Sequence, residues 1–532
     1  MLNDEQRAAV ESTHSKILCL AGAGTGKTYS LVHRIKYLVD TGVSPSSMLV
    51  LTFTNAAAFE MESRYRSMLH ENFKLIRLPE FRTFHAFCYN LLKIDEDVRK
   101  AIGYSGVPDI ADSNKESMLL NNAKVQTGIK LSVKGWNDAS NLSVSDKHNR
   151  DILEKAFVRL LKKENLITFD MLCYQICKLF TDNAECIQKY KSQYHYIFVD
   201  EFQDTDKRQY EFVRSFEGAN LFIIGDALQS LYGFRGADST LIKSIASDLE
   251  WEVHKLTYNY RSTTDICNYA NEYSTYAEST YRVPIHSDKS GGDMQIYTYP
   301  TSFEPAQDKF LKARLTEILS EHSSDTAILT RTNLEADALK SWVASQGYTV
   351  TDTARIHYVI NVIKSAFDIK YLNDWMYSQL TRDEATRYIK FKNPSDTETI
   401  ENCEFILSIS KSKRIQDIYT DVSAIKNIIA TEDDTNKKYL DCCEYLKLEP
   451  NLHDDTTSLL DRLLSDASQE ASKSASIYVG TSHSSNGLEY DTVVLPNVDT
   501  RKFPLRSEEN KNIFYVGLTR AKNNLYVFKE AR

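Results

Sequence analysis

No stretch of this chain stays apolar long enough to span a bilayer, which excludes a helical membrane protein. Its opening, MLNDEQRAAV, is charged and lacks an apolar segment, so no secretory leader is expected. Cysteine is sparse: nine in 532 residues, an odd number, and none in CxxC spacing. Cys173 and Cys177 stand one helical turn apart, and Cys442 and Cys443 are adjacent. This usage argues against a disulfide framework and reads as reduced cysteines in a cytoplasmic protein. Low-complexity tracts are absent, and so is any internal repeat beyond a loose duplication. A basic excess is missing as well, since 64 Lys+Arg face 73 Asp+Glu for a net charge of −9. An acidic total disfavours phosphate-binding surfaces, but a local groove can be basic in an acidic protein, so the total alone decides nothing.

What is present is an ordinary globular composition, 42% hydrophobic and 26% charged, in a chain long enough for several compact units. Lys16–Ala21 is a short apolar run followed by a Gly-rich turn and an amphipathic helix over Tyr29–Val39. Met48–Phe53 is a second apolar run with an Ala-rich helical segment behind it. That rhythm predicts a parallel sheet with crossover helices. From about Ile94 to Asn165 the pattern is polar and helical, without strand-like runs. Strand signals return at Tyr196–Val199 and Leu221–Ile224. A second α/β unit begins near residue 272, with strands at Met294–Tyr299 and Thr326–Thr330. Lys370–Ser474 is again polar, helical and acid-rich, and strands resume at Ile477–Gly480, Thr492–Leu495 and Asn524–Phe528.

LCLAGAGTGKTYSL sets Ala21–Thr28 between a strand and a helix. A phosphate-binding loop needs small residues so that backbone N–H groups can wrap the phosphates, a lysine for the β/γ-phosphates and a hydroxyl for Mg²⁺. Gly22, Gly24 and Gly26 supply the bends, Lys27 the charge and Thr28 the metal ligand, with Ala21 in place of the usual first glycine. Such a loop also requires a carboxylate at the end of another strand. YIFVDEFQDT supplies Asp200 for the metal and Glu201 to orient and deprotonate the attacking water.

Further blocks follow in order: LTFTNAAA (Leu51–Ala58), TFHAF (Thr83–Phe87), IIGDALQSLYGFRGA (Ile223–Ala237), LTYNYRST (Leu256–Thr263), TSHSSNGLEYD (Thr481–Asp491) and FYVGLTRAK (Phe514–Lys522). Together with LNDEQRAAV and AGAGTGKT they run from residue 2 to 522, and the ordered set resembles that of UvrD/Rep/PcrA-like helicases of superfamily 1. The resemblance implies an α/β fold of two RecA-like P-loop domains with parallel sheets, each carrying a mainly helical insertion. Residues 1–93 and 168–271 would form the first domain, and 94–167 its insertion. Residues 272–370 and 475–532 would form the second, and 371–474 a reduced insertion.

The same resemblance implies that Gln6 reads the adenine edge and that Tyr260 stacks on the ring. Ala21, Gly22, Ala23, Gly24, Thr25, Gly26, Lys27 and Thr28 would hold the phosphates. Gln229 and Arg261 would approach the γ-phosphate from the first domain and Arg520 would reach it as an arginine finger from the second, with Glu489 at the ribose or the water. DNA would meet Phe53, Thr54 and Asn55, Thr83 and His85, Tyr232, Phe234 and Arg235, Arg331 and Asn333, and Thr481 and His483.

The implied activity is ATP- and Mg²⁺-dependent translocation on single-stranded DNA in the 3′→5′ sense, with unwinding of tailed duplexes. Two alternatives stay open: a DNA-bound ATPase clamp, or a motor or ATPase subunit of a larger repair, recombination or antiviral defence complex, with a nuclease or repair factor as partner and little unwinding on its own. Departures from the family pattern are Tyr29, Leu228, Asn486, and Lys511 with Asn512, and they bear on DNA affinity and coupling more than on hydrolysis. No nuclease constellation follows the last motif, so the chain itself is not expected to cut DNA.

Overall fold

The computed structural model describes residues 2–69, 78–131, 144–216, 218–231, 238–350, 437, 441–442 and 477–530. The chain divides into two compact units. One contains Met1–Ile94, Cys173–Thr351 and Ala475–Arg532; the other contains Asp95–Leu172 and Asp352–Ser474.

The first unit holds two parallel sheets. Strands β1 (Lys16–Ala21), β2 (Met48–Thr52), β3 (Glu80–Thr83), β6 (Tyr196–Val199), β7 (Asn220–Gly225) and β8 (Glu252–Leu256) line up in the order β3-β2-β6-β7-β1-β8. The second sheet joins β9 (Met294–Thr298), β10 (Thr326–Thr330), β11 (Ile477–Thr481), β12 (Tyr490–Val498) and β13 (Ala521–Lys529) in the order β11-β10-β12-β13-β9. The central strands are continuous apolar runs because helices cover both of their faces. KILCLA in β1 and MLVLT in β2 are buried almost throughout. Ile17, Cys19, Val50, Phe198 and Ile224 meet Leu31, Val32 and Ile35 of the helix Lys27–Asp40 in the first core. Ile328, Val479, Val494 and Phe528 meet Leu311, Leu315 and Leu339 in the second.

Both sheets contain the same local device. LTFTN closes β2 and opens the helix Asn55–Ser67, and LTRTN closes β10 and opens the helix Asn333–Ser345. Each helix is capped by the threonine before its asparagine. Thr54 accepts from the Ala57 N–H at 3.1 Å, and Thr332 accepts from the Glu335 N–H at 3.4 Å.

Two edge strands, β3 and β8, went unread in the sequence. A third departure lies in the second unit, where no strand was expected before Asn165. There β4 (Asp109–Ile110) pairs in parallel with β5 (Leu166–Ile167), beside the helices Ser113–Thr127 and Val144–Lys163. Two residues per strand are too few to produce an alternating pattern. The reduced insertion read at 371–474 falls almost wholly outside the described residues. Among the described residues, no helix is long and apolar enough to cross a membrane.

Candidate active site

The loop after β1 is shaped by its glycines. Gly24 (φ +70) and Gly26 (φ +82) lie in the left-handed region that favours glycine. A Cβ on Gly24 would stand 2.7 Å from Asn259 Nδ2 and 2.9 Å from Arg261 Cβ, so the loop is pressed against the exit of β8. Asn259 locks that contact. Its Nδ2 donates to the Ala23 carbonyl at 2.6 Å, while its Oδ1 accepts from the Arg261 and Ser262 N–H groups at 2.8 and 2.7 Å. Gln6, itself buried, donates from Nε2 to the Thr25 carbonyl at 3.1 Å. The helix Lys27–Asp40 has no side-chain cap, so its first N–H groups remain available to an anion. Tyr260 is 53% exposed, which leaves its ring accessible beside this loop, and its N–H donates to the Gly24 carbonyl at 2.9 Å.

The carboxylates stand at the C-terminal ends of neighbouring strands. Asp200, after β6, is buried, with Oδ2 3.5 Å from Thr28 Oγ1. Burial and the adjacent Glu201 charge push its carboxyl up to about 7, against the pull of Lys27. A hydroxyl and a carboxylate short of positive charge are hard oxygen donors, and they fit a magnesium ion carried in with nucleotide. Glu201 has φ 48 and ψ 44, a strained conformation for a residue with a side chain and one found at functional sites. Gln203 Nε2 donates to Glu201 Oε2 at 2.6 Å and fixes that carboxylate.

Two arginines meet this cluster. Arg520 follows the helix Glu508–Leu518 of the second sheet and is buried. Its Nη2 donates to Gln229 Oε1 at 3.0 Å, its Nε to the Val516 carbonyl at 3.0 Å and its Nη1 to the Leu488 carbonyl at 3.3 Å. Gln229 in turn donates from Nε2 to Asp226 Oδ2 at 2.6 Å. Burial, reinforced by Arg261, pulls the Arg520 guanidinium down to about 9, while Glu201, Asp226 and Glu489 oppose the shift. Arg261, from the first sheet, donates from Nε to Glu489 Oε2 at 2.9 Å and from Nη1 to the Thr519 carbonyl at 3.0 Å. Burial pushes the Glu489 carboxyl up, but Arg261, Lys522 and Arg520 outweigh it and hold the group below the usual carboxylate range. Guanidinium groups from both sheets therefore stand against one P-loop and its acids, an arrangement able to stabilise charge on a transferring phosphoryl group.

The described residues expected to meet DNA lie at or just after the C-terminal ends of strands in the two sheets. In the first, Thr52 of β2 is in register with Thr83 of β3, which brings the turn at Phe53 and Thr54 beside Thr83. In the second, Thr330 is in register with Thr481, which brings Arg331 beside Thr481 and His483. Thr83 and Thr481 are buried, and their hydroxyls accept from the Ala86 N–H at 3.0 Å and the Ser484 N–H at 3.2 Å. Arg331 donates from Nε to Asn510 Oδ1 at 2.9 Å. His483 is held below its usual range by burial and by Arg331, against Glu509. Asn55 and Asn333 begin their helices. Tyr232, Phe234 and Arg235 lie outside the described residues. The site also includes residues that were not read from the sequence: Asp226, Gln203 and Asn259. Asp226 had a visible signal, a carboxylate directly after an apolar strand. Asn259 had none, because its role exists only once β8 lies beside β1.

Fold and site together define a P-loop nucleoside triphosphatase in which two parallel sheets face one nucleotide cleft. The sequence model of the UvrD/REP helicase N-terminal domain matches residues 2–158 and 109–250, and that of the UvrD-like helicase C-terminal domain matches 370–531. The chain belongs to the UvrD/Rep helicase family. It is similar to an ATP-dependent DNA helicase PcrA of Staphylococcus epidermidis, with 28% identity over 99% of this chain and 83% of the relative. A protein of the same description from Staphylococcus aureus is 27% identical over the same shares.

Proposed function

We propose that this chain, an ATP-dependent DNA helicase of the UvrD/Rep family, couples hydrolysis to 3′→5′ movement along single-stranded DNA and so opens tailed duplexes. The observation that carries the reading is the hydrogen bond from Arg520 to Gln229, at 3.0 Å, which links groups of the two sheets beside the P-loop. Loop N–H groups and Lys27 bind the triphosphate, Gln6 and Tyr260 take the adenine, and Thr28 and Asp200 hold the magnesium ion. When bound, that ion neutralises β- and γ-phosphate charge. Glu201 orients a water and accepts its proton as the water oxygen bonds to the γ-phosphorus. The bond from that phosphorus to the bridging oxygen breaks, and ADP leaves. Gln229, Arg261 and Arg520 stabilise the charge spread over the transferring group.

Groups from both sheets contact the same phosphate, so nucleotide binding draws the sheets together and product release lets them part. DNA lies across the strand ends that carry Phe53, Thr54, Asn55, Thr83 and His85 in one sheet and Arg331, Asn333, Thr481 and His483 in the other. Tyr232, Phe234 and Arg235 enter this reading from the motif alone. The test is DNA-stimulated turnover with and without a magnesium chelator in wild type and Arg520→Ala. Chelation should abolish turnover, and the variant should retain nucleotide binding without DNA stimulation. Full stimulation in the variant would remove the two-sheet mechanism.

A further inference from the structure

Away from the nucleotide, three thiols converge on one point. Cys88 lies on the helix Phe84–Ile94, and Cys173 and Cys177 occupy successive turns of the helix Phe169–Thr181. Their sulfurs all lie within 4.8 Å of one another, and the Cys173 and Cys177 sulfurs are 3.8 Å apart. All three residues are buried, at 1%, 7% and 2% exposure. Packing asks only for small apolar volume from a buried cysteine. It does not require three sulfurs from two helices to face each other. A tetrahedral zinc ion does: with Zn–S bonds of about 2.3 Å, its sulfurs stand roughly 3.8 Å apart.

We propose that Cys88, Cys173 and Cys177 form a structural site for a soft divalent metal ion of the zinc class, separate from the magnesium carried by nucleotide. Each thiol gives up its proton as its sulfur bonds to the metal. The location gives the site a purpose. The helix Phe84–Ile94 is the last element before the chain leaves the first unit at Asp95, and Cys173 is the first residue on its return. A metal here joins the outgoing helix to the incoming one and closes the long loop between them, where a cross-link removes much entropy from the unfolded chain.

The experiment uses purified full-length chain, Co²⁺ as a spectroscopic probe and Zn²⁺ as competitor. Wild type should show thiolate-to-cobalt charge-transfer absorption that zinc displaces, and should keep about one zinc per chain after desalting, because thiolate binding of zinc is tight. Cys88→Ala and Cys173→Ala should each keep less than a tenth of that zinc, while Cys186→Ala, outside the cluster, should keep all of it. A measurement on wild type alone guards against misfolded variants: stripping the metal with a chelator should lower the melting temperature, and adding zinc back should restore it. Absence of the cobalt band, equal zinc retention by the cluster variants, or a melting temperature indifferent to the chelator would each overturn the site.

Discussion

At the scale of single residues, the reaction depends on groups that have no substitute within reach. Lys27 is the one ammonium in the phosphate loop, so Lys27→Ala should bring DNA-stimulated turnover to background. Glu201→Gln keeps the shape and the Gln203 contact but removes the carboxylate proposed as the base, so it should bind nucleotide normally and fail to hydrolyse it. An equilibrium nucleotide-binding measurement beside a phosphate-release assay separates the two outcomes. Arg520→Ala should lower turnover by roughly 10³-fold or more if the guanidinium acts as a finger. Arg520→Lys should fare little better, because one ammonium cannot reach Gln229, Val516 and Leu488 in the planar geometry that the guanidinium spans. A loss under about tenfold, far below that range, would make Arg520 a purely structural residue. The sequence pointed to these residues because each lies in a short block of fixed order. It could not point to Asp226 as the partner of Gln229, because that hydrogen bond depends on the turn after β7.

At the scale of elements, the site depends on how β8 seats the phosphate loop. Asn259 satisfies one carbonyl of that loop and two N–H groups of the segment that carries Tyr260 and Arg261. Asn259→Ala would leave these groups unpaired in a buried place, at a cost of about 1–3 kcal/mol or more. It should lower the melting temperature and raise the KM for ATP together. Gly24→Ala should act through the same contact, lowering the melting temperature and weakening nucleotide binding, since the new methyl would press on Asn259 Nδ2 at 2.7 Å and strain a left-handed residue. Thermal melts read beside ATP titrations check both.

β8 and β3 were the two strands of the first sheet that could not be read beforehand, and both are its edges. WEVHKL is half-buried and EFRT alternates, so neither forms the continuous apolar run that marked β1, β2, β6 and β7. The cysteine cluster was illegible for another reason. Cys173 and Cys177 were visibly one turn apart, but only the fold brings Cys88 to them.

At the scale of the whole molecule, the proposed sharing of one nucleotide by two sheets makes a motor only if closure on ATP advances the DNA strand. The measurement that tests this most directly is strand displacement by purified wild type on duplexes with a 3′ or a 5′ single-stranded tail, with turnover followed in the same reactions. ATP should drive opening of the 3′-tailed duplex and little of the 5′-tailed one, and Arg520→Ala should lose opening on the same substrate. Opening only after a partner protein is added would make the chain a motor subunit. DNA-stimulated hydrolysis with no displacement on either duplex, with or without a partner, would show a DNA-bound ATPase and not a helicase motor.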